Sequence, residues 1–513
     1  MSKSYLEISK ATDLESPKER IIFRCLEILP LFLSLTTLAG AFFLSWFKPV
    51  WVAIFIILFD LYWLYRVCYL SFHQITGWKK MKKHSKINWL EKLNKEPKTK
   101  NWRDIYQLII LPFYKENQEV IASTCQALEN SDYPKDKMIV VLACEQRAGE
   151  TAQKTAQIIE NQFGNKFYRF LTTFHPQNII GEIAGKGSNV AWAVEQAKEK
   201  MIDKENIPYE HIIISSFDID TRVGPQYFAY LVWHYLFAEK PLKSSYQPIP
   251  VYNNNIWDAP AFSRIISLSG TFWQMMLQER PEKLATFSSH SWPFKVFIDV
   301  GYPANLVPDD SHIFWKSYLY YNGDYRVIPL YYPVSMDAVM AESFSKTAIN
   351  QYKQQRRWAW GCSEIPYVVY GFLKNKKIRF KDKFHYSFNI IEGFWSWAVA
   401  SLLIFFLGWL PIILGGEKFN ITLLSYNLPR LTGAIMSIAM IGMIVSAGLS
   451  FALLPPRPPY HSRWKNVFMV LQWFLLPITL VFFGAFPAID AQIRLALGKY
   501  MGFWVTDKVR KRQ

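Results

Sequence analysis

The sequence predicts a cytoplasmic α/β domain inserted between two groups of membrane-spanning helices. Three observations carry this. Long apolar stretches, each about 20 residues or more, gather near the two ends of the chain. Strand-like and helix-like segments alternate between them. The run Ile212-Ile213-Ile214 ends abruptly in two carboxylates, Asp218 and Asp220. A buried parallel strand delivers acidic groups to the carboxyl edge of a sheet in this way, and α/β folds bind ligands at that edge.

At 513 residues the chain is too long for one soluble domain, and its apolar residues, 51% of the total, are clustered. Ile28 to Phe47 contains no charge, and Val50 to Leu70 is interrupted only by Asp60 and Arg66. Phe388 to Gly415, Leu431 to Leu454 and Val467 to Pro487 are similar. Each is long enough as a helix to cross ~30 Å of hydrocarbon. Buried core helices are the alternative, but five such stretches, many flanked by Trp, favour an integral, multi-pass protein of a plasma or inner membrane. The first twenty residues are polar and do not resemble a cleaved signal peptide.

The net charge of +17, from 58 basic and 41 acidic residues, has a local source. Lys79, Lys80, Lys82, Lys83 and Lys86 follow the second apolar stretch, with Lys92, Lys95, Lys98 and Lys100 beyond. This flank is cytoplasmic by the positive-inside rule. Its place beside a span points to lipid headgroups and topology, not to nucleic acid. The five cysteines show neither paired nor metal-ligand spacing. The expected organisation is a polar tail over 1–20, two membrane helices within 21–72, a basic linker over 73–101 and the α/β domain over 102–361. An interfacial segment over 362–387, three membrane helices within 388–488 and an amphipathic basic tail over 489–513 complete it.

Within the domain, strands are expected over Tyr106 to Leu111, Lys137 to Cys144, Tyr168 to Phe174 and His211 to Phe217. Helices are expected over Gln118 to Asn130, Glu150 to Phe163, Ser188 to Met201 and Gln226 to Phe237. The alternation implies a parallel sheet with helices on both faces, so the loops after the strands line one crevice. A polar segment then runs to Asp258. Ser263 to Gln278 is amphipathic and rich in Trp, Met and Phe, which suits either a membrane-interface helix or a packed core helix.

Pro112 is expected to stop the first strand, leading into Tyr114, Lys115, Glu116 and Asn117. Glu145 and Arg147 follow the second strand. Gly185-Lys186-Gly187-Ser188-Asn189 is one residue short of a Walker A loop and has Gly187 where the hydroxyl belongs, yet a lysine before a helix still suits a phosphate. Asp218 and Asp220 share one face of a strand and offer hard oxygens to one Mg²⁺ or Mn²⁺. Ser288 to Trp292 reads as a short polar and aromatic loop. Asp309 and Asp310 after Pro308 also suit helix capping. Gln354, Arg357 and Trp358 precede the third span, where basic and aromatic residues also snorkel and anchor.

In this order the motifs resemble those of the membrane-bound family 2 glycosyltransferases, the group of cellulose, hyaluronan and chitin synthases. The resemblance covers roughly Tyr106 to Gly361, and Gln354-x-x-Arg357-Trp358 is its most specific part. It implies a GT-A (Rossmann-like) catalytic domain in the cytoplasm and inverting transfer from a nucleotide diphosphate sugar. Uridine is the commonest nucleotide in that family. By resemblance, Pro112, Tyr114, Glu116, Glu145, Lys186 and Asp218 bind the nucleotide sugar. Asp220, with Asp218, holds Mg²⁺ or Mn²⁺. Asp310 is the catalytic base, the residue retained from the family's Thr-Glu-Asp triplet. Asp309, Gln354, Arg357 and Trp358 border the acceptor and diphosphate. Glu145 departs from the commoner aspartate.

The preferred reading is a synthase extending a polysaccharide. Its rivals are transfer of one or a few sugars to a lipid-linked acceptor, and a non-catalytic scaffold or transporter. The spans carry little of the paired charge a transporter uses, Asp60 and Arg66 being the main exceptions. Three C-terminal spans put the last residues outside, yet Lys508, Arg510, Lys511 and Arg512 are basic and Ile489 to Val505 is amphipathic. The side of the C-terminus is left open by the sequence.

Overall fold

The structure, a computed structural model, describes residues 4–99, 101–504 and 510. Lys100, Lys508, Lys511 and Arg512 from the basic stretches lie outside the described residues.

Among the described residues five helical runs are long and apolar enough to cross a membrane: α1 (Pro17–Phe47), α2 (Pro49–His84), α11 (Phe380–Phe405), α12 (Leu423–Ala452) and α13 (Trp464–Ala496). Between α2 and α11 the sheet and its helices are, in chain order, β1 (Tyr106–Phe113), α3 (Gln118–Glu129), β2 (Met138–Glu145), α4 (Glu150–Phe163), β3 (Arg169–His175), α5 (Lys186–Ala197), β4 (Ile212–Ser216) and β5 (Arg222–Val223). There follow α6 (Tyr227–Phe237), β6 (Ser244–Val251), α7 (Ala261–Gln278), β7 (His290–Pro293), α8 (Asp309–Tyr320), β8 (Arg326–Ser335), α9 (Phe344–Ala359) and α10 (Glu364–Lys374).

The strands order as β3-β2-β1-β4-β7-β6-β8-β5. The first four are parallel, as the alternation predicts. The other half corrects the expectation of a wholly parallel sheet, because β7 runs antiparallel to both β4 and β6. β7 occupies the stretch expected as a loop, and β6 lies in the expected polar segment. Their Ser, Gln and His side chains are buried and hydrogen-bonded, Ser291 across the strands to Ser215 at 2.8 Å and Gln247 and His290 to the segment before β7, so apolar patterning does not mark them. This is a mixed α/β domain.

Strand alternation builds two cores. Leu108, Ile110, Val141 and Ile214 face Val190 and Val194 of α5, in a core that continues into Ile56 and Phe59 of α2 and Val399 of α11. Ile109, Leu111, Val140 and Ile213 face Ile121 of α3, Ile159 of α4 and Tyr227 of α6. Because each strand buries both faces, its sequence is a continuous apolar run. The sheet is thereby joined to the spans through one of its faces.

Pro112 does not end β1, which continues to Phe113 opposite Cys144. The Ile110 carbonyl accepts from Phe217 N–H, so Ile110 and Pro112 turn their polar groups toward β4. β4 pairs with β1 only as far as Ser216, so the missing N–H of Pro112 leaves no ladder bond unmade.

α2 runs through the lysine stretch to His84, three turns beyond the expected span, and carries the basic residues on a continuous helix. α7 is mainly a core helix: Ile265, Phe272 and Met275 are buried, and a Cβ on Gly77 of α2 would stand 2.8 Å from the Met275 carbonyl oxygen. The N-terminal stretch packs through Ile8, Ala11 and Leu14 against Phe23 and Tyr370. It is further tied by Glu7 to Lys316 at 2.9 Å.

Both ends of α13 meet the domain side. Before it, Trp257 Nε1 donates to the Pro455 carbonyl at 3.1 Å and Asp258 meets His461 at 3.0 Å. Near its end Arg356 of α9 donates to Asp490 at 2.9 Å, and Arg24, at the start of α1, donates to the Leu495 carbonyl at 3.0 Å. Irregular turns at Gln472–Leu475 and Val481–Ala485, with Pro477 and Pro487, interrupt the run. The chain therefore returns to the α/β domain after α13.

Candidate active site

Asp218 and Asp220 stand where β4 ends. Asp218 accepts from Lys186 Nζ at 2.7 Å on one oxygen and from Ser288 Oγ at 2.5 Å on the other. Asp220 is buried and accepts the Asp337 N–H at 2.7 Å. The turn is fixed by Asn254, which donates to the Asp220 carbonyl at 2.9 Å, and by Thr221 and Ser289, whose hydroxyls meet at 2.8 Å.

Lys186 opens α5 and reaches across the cleft. Besides Asp218 it donates to both oxygens of Asp310, at 2.8 and 3.0 Å. Burial works against the ammonium, but Asp218, Asp310 and Asp309 outweigh it and hold its pKa above the ordinary lysine range. Asp310 is in the first turn of α8 with 24% of its side chain exposed. Asp309, assigned by resemblance to the acceptor, turns inward instead. It is buried, accepts from Tyr302 Oη at 3.0 Å and is pushed up to about 7 by burial and by the neighbouring Asp310 charge.

His290 on β7 lies 3.7 Å from Asp310 through Nδ1, which donates to the Phe287 carbonyl at 2.8 Å. Burial lowers its pKa to about 4, so the ring is neutral near pH 7. Tyr252 is buried between the paired aspartates and α9, with its ring 6.4 Å from that of Trp358. Burial raises its phenol above the ordinary range.

At the other end of the cleft, Glu116 accepts from the Tyr114 and Lys115 N–H groups at 2.7 and 3.1 Å, closing the loop after β1. The Arg147 guanidinium lies 4.7 Å from the centre of the Tyr114 ring and pairs with buried Glu145. Glu145 is opposite His175 in the β2–β3 register, and His175 meets Glu182 at 2.8 Å. Glu145, Arg147, His175 and Glu182 line a small cavity with Gln177 and Asn178.

Helix α9 forms the wall next to α13. Gln354 is buried and accepts from Gln351 at 3.1 Å. Arg357 lies over the Phe503 ring at 4.8 Å, and the Phe503 side chain is against Gly185, where a Cβ would stand 2.5 Å away. Arg510 grips buried Asp337 with two bonds of 2.8 and 2.9 Å and donates to Ser123 at 2.7 Å. The C-terminal segment thus touches both the Lys186 loop and the strand ends.

The structure brings Lys186, Asp218, Asp220 and Asp310 together and places Tyr114 with Glu145. Sequence reasoning missed Tyr252, His290, Tyr302 and Asp337. Only Asp337 carries a readable signal, as a carboxylate just past a strand.

The donor set suits a hard cation. Asp218 and Asp220 offer carboxylate oxygens at one strand end, and the Lys186 ammonium between Asp218 and Asp310 shows that positive charge is accommodated there. Among the described residues no cluster of three or more His, Cys, Asp or Glu surrounds one point. A bound Mg²⁺ or Mn²⁺ would therefore take its remaining ligands from phosphate and water.

Fold and cleft together define a mixed α/β domain carried between apolar helices. No family model matches the chain, and no curated protein matches it in sequence. Among solved structures it is similar to the mannosyltransferase PcManGT of Pyrobaculum calidifontis in complex with GDP-Man and Mn²⁺, at 13% identity and a TM-score of 0.39, over 84% of this chain and 99% of that one. It is also similar to residues 1–349 of S. aureus TarS in complex with UDP-GlcNAc, at 12% identity and a TM-score of 0.37, over 79% and 95% of the two chains. A third is the glucosyl-3-phosphoglycerate synthase of Mycobacterium tuberculosis in complex with UDP, at 13% identity and a TM-score of 0.31, over 51% and 80%.

Proposed function

We propose that the protein is an inverting membrane glycosyltransferase that moves a sugar from a nucleotide diphosphate sugar onto a growing polysaccharide, with its α/β domain in the cytoplasm. The observation that carries this reading is the convergence of Asp218, Asp220, Lys186 and Asp310 on one cleft at the carboxyl edge of the sheet.

The residues divide the work. The cavity lined by Glu145, Arg147 and His175 receives the nucleoside, with the Arg147 guanidinium and the Tyr114 ring stacked beside it as flat surfaces. Asp218 and Asp220 would hold a divalent cation beside the diphosphate. When bound, that cation offsets the charge developing on the leaving group. Lys186 and Arg357 add fixed positive charge on the same side, Arg357 through a planar fork suited to phosphate oxygens. Asp310 faces the cleft and takes the acceptor hydroxyl's proton as that oxygen attacks the face opposite the diphosphate. Neutral His290 and inward-turned Asp309 shape the wall behind it.

A polyhydroxylated acceptor is favoured by the wall that α9 presents. Gln351 Oε1, Gln355 Nε2, Arg356 Nε and Arg357 Nε are buried without a hydrogen-bond partner among the described residues. Buried polar atoms are costly to leave unmet, so groups of this kind mark a path for hydroxyls or water. Trp358 and Tyr252 supply flat faces beside it.

Equilibrium binding tests the donor half. Nucleoside diphosphates are titrated onto the full chain in nanodiscs with Mn²⁺ or with EDTA. Binding that requires the cation and is lost in Asp220→Asn supports the assignment; equal binding in EDTA overturns the cation's role.

A further inference from the structure

Lys186 joins two carboxylates that the proposed reaction needs for different partners. Asp218 belongs to the donor and its cation, and Asp310 to the acceptor, yet the structure ties both to one ammonium at 2.7 and 2.8 Å. The backbone beneath the ammonium is fixed. A Cβ on Gly187 would stand 2.5 Å from the Pro303 carbonyl oxygen and 3.0 Å from the Asp309 Cβ, so the first turn of α5 is pressed against the segment leading to Asp310. The Lys186 side chain, by contrast, is a compact charge on a flexible four-carbon stem. Asp218 and Asp310 keep 29% and 24% of their side chains exposed, so an incoming cation can reach both from the cleft.

We propose that Lys186 is a displaceable counter-ion, a positioning residue that holds Asp218 and Asp310 together until a divalent cation arrives with the nucleotide diphosphate and takes Asp218. The inference rests on the glycosyltransferase reading and adds an order of events to it. A divalent cation and an ammonium repel strongly at this separation, so they do not share Asp218. Once displaced, the ammonium turns to the diphosphate oxygens that entered with the cation, and both oxygens of Asp310 are released toward the acceptor hydroxyl. Donor loading is thereby coupled to unmasking of the base. An acceptor entering first meets an aspartate whose oxygens are both engaged.

The test is Mn²⁺ binding alone, without nucleotide, followed by electron paramagnetic resonance of free Mn²⁺ with the full chain in nanodiscs. Lys186→Gln removes the charge but can still donate hydrogen bonds to both carboxylates, and Lys186→Arg retains the charge. The expected result is that Lys186→Gln binds Mn²⁺ roughly tenfold tighter or more, since an adjacent like charge is gone. Lys186→Arg should stay within about threefold of wild type, because it keeps that charge. Adding Asp218→Asn to Lys186→Gln should abolish the gain. Mn²⁺ affinity that is unchanged or weaker in Lys186→Gln overturns the proposal, as does a gain that survives Asp218→Asn. Turnover by wild type with no such gain sinks the counter-ion role and leaves the enzyme. A gain without any donor turnover sinks the enzyme and leaves the counter-ion.

Discussion

Glu364, at the start of α10, offers a test of how α8, the helix that carries Asp310, is held. It is buried under α8, where it accepts from Ser311 Oγ at 2.9 Å and from Trp315 Nε1 at 3.2 Å, and Ser311 is the residue after Asp310. Burial pushes its carboxyl from about 4.5 up to about 8, with the two hydrogen bonds opposing. The folded pKa lies above the unfolded one, so the folded state binds the extra proton, and stability falls as pH rises from the unfolded to the folded value. At 1.36 kcal/mol per pKa unit the loss between pH 4.5 and pH 8 approaches ~5 kcal/mol as an upper bound. Glu364→Gln removes the titration while keeping both contacts: the amide oxygen accepts from Trp315, and the amide nitrogen donates to the Ser311 hydroxyl, which can reverse its role. Thermal unfolding in nanodiscs from pH 5 to pH 8.5 checks this. Wild type should lose more stability toward pH 8.5 than Glu364→Gln, which keeps only the contribution of other raised groups such as Asp309 and should be the more stable at the alkaline end. Parallel pH profiles for the two proteins would refute the reasoning.

Other expected outcomes follow from the same contacts. Asp310→Asn should cut turnover by ~10²–10⁴ while leaving cation-dependent nucleotide binding in place, since a general base acts in the transition state; comparison of kcat with nucleotide Kd checks it. Arg510→Ala strands buried Asp337 and should lower stability by up to ~3–5 kcal/mol, the usual result of breaking a buried pair. Asp337→Asn in the same background should recover much of that loss in thermal unfolding. Gly185→Ala sets a methyl 2.5 Å from the Phe503 Cβ. It should displace Phe503 from Arg357 and speed tryptic cleavage after Lys499.

Much of the α/β half was legible because its strands are buried on both faces and flanked by amphipathic helices. Ile212 to Ile214, Val140 to Leu142 and α4 all fall where periodicity puts them. The mixed half was not legible. β6 and β7 bury Ser245, Gln247 and Ser291, whose polarity is met by partners distant in sequence, so local pattern has nothing to register. Pro112 misled for a similar reason: its tolerance depends on where β4 stops. In the cleft, Asp218 and Asp220 announce themselves at a strand end. The inward turn of Asp309, by contrast, is decided by Tyr302 and by the close approach of Gly187. The return of the chain after α13 rests on Arg24, Arg356 and Asp490, pairings that span more than 130 residues.

The most direct test of the central claim is sugar transfer by the full chain in lipid nanodiscs. A panel of radiolabelled nucleotide sugars is offered with Mg²⁺ or Mn²⁺, beside Asp310→Asn and EDTA controls, and the product is sized. The account predicts a long, size-distributed polysaccharide from at least one donor, lost in both controls. A product of a single sugar on lipid would contradict the polysaccharide acceptor. No turnover with any donor, together with no cation-dependent nucleotide binding, would contradict the glycosyltransferase itself.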